Sequence, residues 1–198
     1  MITETQSTMR SKMKVRIKPA MVLIVSGLTV AGCASTQTQA SSNRVASASA
    51  TIINAAGEER GTAELWQDRD NVVHVDVRVN GMPPGPHGIH LHAAGACDAG
   101  GTAFATAGAH FNPLGRQHGL DNPAGPHGGD APNFTVSADG IGRATFTTDR
   151  VSLLAGSTSL FDNDGSAIVI HAAADDQISQ PSGNSGARIA CGVLKRAE

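Results

Sequence analysis

The sequence predicts an all-β domain, an eight-stranded antiparallel sandwich or flattened barrel. Short segments with alternating apolar residues are separated by glycine-rich connections and by turn signals such as Asp139-Gly140 and Asp164-Gly165. No segment of ten or more residues has a convincing helical period. The period of two and the absence of a helical period together favour strands throughout.

The clearest strand candidate is residues 71–79, where four valines alternate with polar residues, as in a half-buried strand. Asn80-Gly81 and a proline-rich segment then end it. The other seven candidates are, in chain order, residues 47–54, 61–67, 87–92, 133–137, 143–147, 167–171 and 187–194. Two long segments between them, 93–132 and 172–186, have little strand character, which is typical of functional loops.

The N-terminal segment is predicted to be a targeting signal. Five basic residues precede an apolar run, Ala20–Ala31, which is followed by Gly32 and Cys33. This pattern resembles the signal of bacterial lipoproteins, in which residues 1–32 are removed and Cys33 carries lipid. It implies a periplasmic protein anchored in the cell envelope, and Ala34 favours the outer membrane. The alternatives are a plain secretory signal or an uncut anchor, and translation could start at Met9 or Met13.

Residues 33–48 are predicted to be a flexible tether, and residues 49–198 a domain of about 150 residues. Removal of residues 1–32 takes away five of the 15 basic and one of the 17 acidic residues, which leaves a formal charge of −6. This charge argues against a nucleic-acid partner. Without Cys33, two cysteines remain, and in an exported chain they predict one disulfide rather than two free thiols.

Seven residues between positions 90 and 171 form a predicted pair of metal sites: His90, His92, His110, His118, His127, Asp130 and His171. At spacing i, i+2 in a strand, the first two imidazoles project from one face. Three imidazoles and one carboxylate, all from the long loop, suit a tetrahedral zinc site. Nitrogen-only ligation by the remaining histidines suits copper.

Five segments in their order resemble copper–zinc superoxide dismutase, from about residue 50 to 194: Gly85–His92, Gly108–Pro113, His127–Asp130, His171–Asp176 and Gly183–Gly192. The resemblance implies a Greek-key sandwich and two ligand sets. His90, His92, His110 and His171 would hold copper, and His110, His118, His127 and Asp130 would hold zinc, so that His110 is shared.

The resemblance also assigns roles around the metals. Asp175 would link a copper histidine to a zinc histidine, and Arg188 would stand beside the open copper position. Cys97 and Cys191 would form the disulfide between the long loop and the last strand. His110 and Arg188 would be catalytic in the conversion of superoxide to dioxygen and hydrogen peroxide, His110 by giving a proton to the departing peroxide.

The chain departs from familiar members of the family in two loops. Residues 172–187 contain no lysine or arginine, so the expected attraction of an anion rests on Arg188, with Arg116 as a candidate for compensation. The segment from Asp98 to Gly108 is an alanine- and glycine-rich insert that lengthens the spacing from Cys97 to His110. This loop contributes to subunit contacts in the family. The resemblance is therefore compatible with a homodimer, but it does not predict which surface forms the interface.

Two histidines are predicted not to bind metal: His74 as a surface residue and His87 as a structural one. Two other functions compete with a dismutase. A copper or zinc buffer or delivery protein would keep the ligands without turnover, and an adhesion sandwich would have lost its metal sites. The complete ligand set and Arg188 favour the enzyme, an antioxidant that protects the envelope from external superoxide.

Overall fold

Residues 43–197 are described by the computed structural model, and they form ten strands in one antiparallel sheet. The strands are β1 (Arg44–Asn54), β2 (Glu59–Asp68), β3 (Val73–Val79), β4 (Gly85–His87), β5 (Ile89–His92), β6 (Phe134–Val136), β7 (Gly142–Thr148), β8 (Ala167–His171), β9 (Arg188–Val193) and β10 (Lys195–Arg196). They pair in the order β4-β6-β7-β3-β2-β1-β9-β8-β5, and β10 pairs with β1.

The sheet is nearly closed. Strands β4 and β5 stand at opposite ends of the pairing order but are separated in sequence by Gly88 alone. The pairs β3·β7 and β1·β9 join strands that are not neighbours in sequence, as in a Greek key. The predicted fold class, an antiparallel sandwich or flattened barrel, is therefore confirmed.

Three differences from the predicted strands have a structural reason. The expected strand 87–92 is two strands that meet at Gly88. The N–H of Gly88 donates to Ala173 O in the loop after β8, and its C=O accepts from the N–H of His171, the last residue of β8. Strand β1 begins at Arg44, inside the predicted tether, because residues 44–48 pair with β2. Strand β10 is only two residues long, which is too short for a periodic signal.

The predicted signal, lipidation at Cys33 and most of the tether lie outside the described residues. Within residues 43–197, no helix is long and apolar enough to span a bilayer. The only helical element in this range is a 3₁₀ turn, Ala105–Ala107.

Small aliphatic side chains fill most of the core. The four valines of β3 are buried, and they pack with Ala, Ile and Leu side chains from both faces of the sandwich. Strand β8 is buried on both sides: Ile168 and Ile170 enter this main core, whereas Ala167 and Val169 enter a second, smaller cluster with Phe104. The second cluster lies where the long loop covers the outer surface of the sheet.

Alternation in β5 directs its histidines toward that loop. Ile89 and Leu91 enter the main core, so His90 and His92 project from the opposite face. Single bridges then pair His90 with Asp130 and His92 with His110. The disulfide between Cys97 and Cys191 is present and ties the loop to β9.

Candidate metal centre

Two clusters of potential metal ligands lie side by side and share His110. The first, called the imidazole group, contains His90, His92, His110 and His171. The second, called the mixed group, contains His110, His118, His127 and Asp130. In each group the ligand atoms lie within 4.8 Å of one another, and all of these residues are buried. The structure thus brings together all seven residues that the sequence singled out.

The imidazole group presents one unpartnered nitrogen from each ring: His90 Nδ1, His92 Nε2, His110 Nε2 and His171 Nε2. The opposite nitrogens of two rings are fixed, since Nδ1 of His92 donates to Gly108 O at 3.0 Å and Nδ1 of His171 to Gly186 O at 3.2 Å. Buried polar atoms are normally paired, so four lone pairs that converge without donors fit a metal ion.

Asp130 organises the mixed group. Its Oδ1 lies 2.9, 3.0 and 3.3 Å from the Nδ1 atoms of His110, His118 and His127. Its Oδ2 accepts the backbone N–H groups of Gly119 and His127. Ligands about 2.0 Å from a tetrahedral zinc ion would lie roughly 3.3 Å apart, which is close to these separations.

Electrostatics at His118 also favour a cation in the mixed group. Burial lowers the pKa of His118, but hydrogen bonds to Asp130 and Asp175 outweigh it and raise this pKa to about 9. Burial alone would raise the pKa of Asp130, whereas the three histidines hold it well below its usual range. A positive charge is therefore stabilised beside Asp130, and a metal ion can take the place of the proton.

In the imidazole group, burial lowers the pKa of the histidines instead of stabilising a positive charge. Burial lowers the pKa of His92 to about 2, that of His171 to about 3 and that of His110 to about 4. These rings are consequently neutral near pH 7, and their lone pairs are available to a metal ion.

Asp175 joins the two groups. One carboxylate oxygen accepts from His90 Nε2 at 2.6 Å and the other from His118 Nε2 at 3.0 Å. Its backbone N–H and C=O pair with the side-chain amide of Asn133. Gly183 has φ +64°, and a Cβ there would lie 1.7 Å from Asp175 Oδ1, so this bridge requires glycine.

Arg188 lines a cavity of about 430 Å³ together with three members of the imidazole group, His92, His110 and His171. Its Nη1 and Nη2 donate to Phe104 O and Gly108 O, each at 2.6 Å. Among the residues that line this cavity, Arg188 is the only lysine or arginine. Arg116, considered as compensation, instead lines a separate cavity with Leu114 and Arg150.

Several residues that hold the site in place were missed by the sequence analysis. Gln180 pairs through its amide with both the N–H and C=O of His118. Gln177 accepts from Leu120 N and donates to Ala131 O. Arg150 donates to the carbonyls of His127 and Asp130. Neutral amides in loops carry no spacing signal, so only their contacts reveal them.

The two remaining histidines are outside both groups. His87 has both ring nitrogens within hydrogen-bond distance of carbonyl oxygens, those of Pro83 and His171, in agreement with a structural role. His74, predicted to be a surface residue, has a side chain that is partly exposed and that also contacts its neighbours. It stacks on Trp66 with 3.6 Å between ring centroids and pairs with Asp68 Oδ2 at 2.9 Å.

Known proteins with similar sequences and structures agree with this centre. The family model for copper/zinc superoxide dismutase (SODC) matches residues 59–194. The superoxide dismutase-like protein YojM of Bacillus subtilis is 36% identical over 186 residues, which cover 88% of this chain and 94% of that protein. Superoxide dismutase [Cu-Zn] 1 of Aquifex aeolicus is 43% identical over 148 residues, or 74% of this chain and 86% of that protein.

Solved structures show the same architecture. A double mutant of a superoxide dismutase-like protein from Bacillus subtilis, in which histidines replace a tyrosine and a proline, matches with a TM-score of 0.68 and 39% identity. The match covers 73% of this chain and 94% of that one. From the family match, the relatives and the two ligand groups, we conclude that the chain belongs to the copper/zinc superoxide dismutase family, which binds copper and zinc.

Proposed function

We propose that the protein is a superoxide dismutase in which the imidazole group holds copper, the mixed group holds zinc and His110 is shared. The observation that carries the proposal is the set of four unpartnered buried nitrogens, three of them on rings that line a cavity together with Arg188. The reaction converts two superoxide anions and two protons into dioxygen and hydrogen peroxide. Bound copper would supply the one-electron redox chemistry, which zinc cannot supply.

Arg188 would bind and orient the anionic substrate. A guanidinium stays charged at any pH near neutrality and has five N–H donors. Two of these donors are used on the carbonyls of Phe104 and Gly108, which leaves others free for a small anion in the cavity. Since no lysine or other arginine lines the cavity, attraction of superoxide would depend mainly on this side chain.

His110 would handle a proton. Its Nδ1 faces Asp130 in the mixed group, and its Nε2 is the unpartnered atom on the side of the imidazole group. A proton held at Nε2 would therefore be positioned for transfer to the departing peroxide. The other ligands have fixed hydrogen-bond partners and would keep their orientation through the reaction.

The activity is tested with full-length protein, purified in mild detergent and loaded with copper and zinc. We expect rapid dismutation, a loss of about a hundredfold or more in His110→Ala, and a partial loss of about tenfold in Arg188→Ala. His74→Ala, which alters a histidine outside both groups, is the matched control and should change little. Stoichiometric copper and zinc without turnover would contradict the proposal and leave a metal buffer or delivery protein.

We also propose that the protein acts in the bacterial cell envelope as a lipoprotein and removes external superoxide there. The basic segment, the apolar run and Cys33 support this location, and the disulfide fits an oxidising compartment. Metabolic labelling with a radioactive fatty acid should mark the wild type but not Cys33→Ser, and the variant should leave the membrane fraction. A labelled Cys33→Ser variant would contradict lipidation at this residue.

A further inference from the structure

Phe104 is the one large side chain in the insert Asp98–Gly108, and its conformation is unusual. It has φ +59°, in the left-handed region, yet its side chain is completely buried. A bulky residue rarely adopts this backbone conformation, and it persists only where the surroundings impose it. The insert therefore holds Phe104 in place for a reason beyond local chain preference.

The ring is held by the second hydrophobic cluster. Ala107 from the insert, Ala167 and Val169 from β8, and Cys191 from β9 surround it. The other insert residues in this cluster are alanines, so Phe104 supplies most of the apolar volume that joins the insert to the sheet. The disulfide anchors the insert only at Cys97, seven residues earlier.

The backbone on either side of the adjacent 3₁₀ turn holds the guanidinium of Arg188. Phe104 O accepts from Arg188 Nη1, and Gly108 O accepts from Nη2. Gly108 O also accepts from His92 Nδ1 in the imidazole group. The position of Arg188 relative to that group is thus set by two carbonyls of the insert.

We propose that Phe104 is a positioning residue for Arg188: its buried ring fixes the two carbonyls that aim the guanidinium into the cavity above the imidazole group. Without the ring, the insert keeps its disulfide but loses its apolar attachment to β8 and β9. Arg188 then samples positions farther from the bound anion. The inference rests on the proposed function, because it takes this cavity as the site where copper and an anion meet.

The test measures azide affinity of the copper- and zinc-loaded full-length protein by absorption titration, since azide is a small anion that gives a charge-transfer band on binding copper. Wild type and Arg188→Ala are compared first. No metal uptake or no azide band in wild type would overturn the proposed function itself. Weaker azide binding in Arg188→Ala establishes the effect that Phe104 is expected to share.

We expect Phe104→Ala to weaken azide binding by about five- to tenfold at unchanged copper and zinc content. Phe104→Gly, which removes the cost of the left-handed backbone, should weaken it equally, because the ring is what matters. Leu65→Ala creates a comparable cavity in the main core, and it should leave azide affinity unchanged. If the smaller variants do not fold, Phe104→Leu is used in their place and should also weaken azide binding.

A double variant separates positioning from general damage. In the Arg188→Ala background, Phe104→Ala should have no further effect on azide affinity, because both changes act through the same guanidinium. Azide affinity within about twofold of wild type in Phe104→Ala and Phe104→Leu would overturn the inference. So would full affinity in Phe104→Gly, or an undiminished effect of Phe104→Ala when Arg188 is already absent.

Discussion

The imidazole group and the mixed group share His110 but are held by different parts of the fold. Three of the four imidazole-group residues lie on strands β5 and β8, whereas the mixed group lies entirely in the loop between β5 and β6. Strand positions are fixed by ladders of backbone hydrogen bonds. Loop positions depend on side-chain contacts, on the disulfide and on the metal ion itself. The imidazole group, proposed to hold copper, should therefore keep its geometry without a metal ion, whereas the mixed group, proposed to hold zinc, should depend on its ion.

The largest expected effect is a loss of zinc affinity in the mixed group. Asp130→Ala removes the oxygen on which three histidines converge, so zinc affinity should fall by about a hundredfold or more. Copper affinity should fall far less, because the strand-borne ligands remain. Chelator competition with mass spectrometry measures both affinities. An equal loss of the two metals would break the proposed difference between the groups.

Removal of both metals should change amide exchange in the loop between β5 and β6 much more than in the strands. We expect amide exchange in residues 111–128 to accelerate by about a hundredfold in chelator, because this loop would lose the ion that joins its ligands. Strand β8 is buried on both faces and should keep its protection. Hydrogen exchange followed by mass spectrometry makes the comparison, and equal acceleration in β8 would contradict it.

The metal-free protein should lose stability in acid. The pKa values of His92, His171 and His110 are lowered to about 2, 3 and 4, so the unfolded state binds more protons than the folded state below about pH 6.5. The free energy of unfolding should therefore fall by at least about 1.4 kcal/mol per pH unit between pH 6 and pH 4.5. Urea denaturation with chelator measures this slope.

His118 does not account for that loss. Its folded-state pKa is raised to about 9, so its stabilisation is complete below pH 6.5 and is lost as the pH rises through 9. A flat stability between pH 6 and pH 4.5 would show that the imidazole group is not buried as described. A second decline between about pH 6.5 and pH 9 would be the signature of the mixed group.

The smallest effect concerns the contact between the two loops. Gln180→Ala removes two hydrogen bonds to the backbone of His118 and should weaken zinc binding by about tenfold. Gln117→Ala changes an exposed glutamine in the same loop region and serves as the control. Equal zinc affinities in the two variants, measured by chelator competition, would show that Gln180 does not hold the mixed group.

The structure shows what the loop between β8 and β9 contributes, although it contains no lysine or arginine. Gln177 and Gln180 of this loop pair with Leu120 and His118 in the loop between β5 and β6. Asp175 pairs with His118 of that loop and with His90 on β5. The loop between β8 and β9 thus holds the centre together, and the charge that faces the cavity comes from Arg188 on β9.

The sequence by itself determined the all-β class, most strand positions and the residues that meet at the centre. Alternating valines, glycine turns and closely spaced histidines are local patterns, which can be recognised in the sequence without knowledge of the fold. Five motifs in family order also implied the disulfide and the bridge through Asp175, both of which are present.

Only the tertiary structure decided what supports those residues. It separated β4 from β5 at Gly88, paired His74 with Asp68 and directed Arg116 away from the main cavity. It also placed Phe104 behind the carbonyls that hold Arg188. These contacts join residues far apart in sequence through backbone carbonyls and neutral amides, whose partners depend on loop closure and leave no periodic trace in the chain.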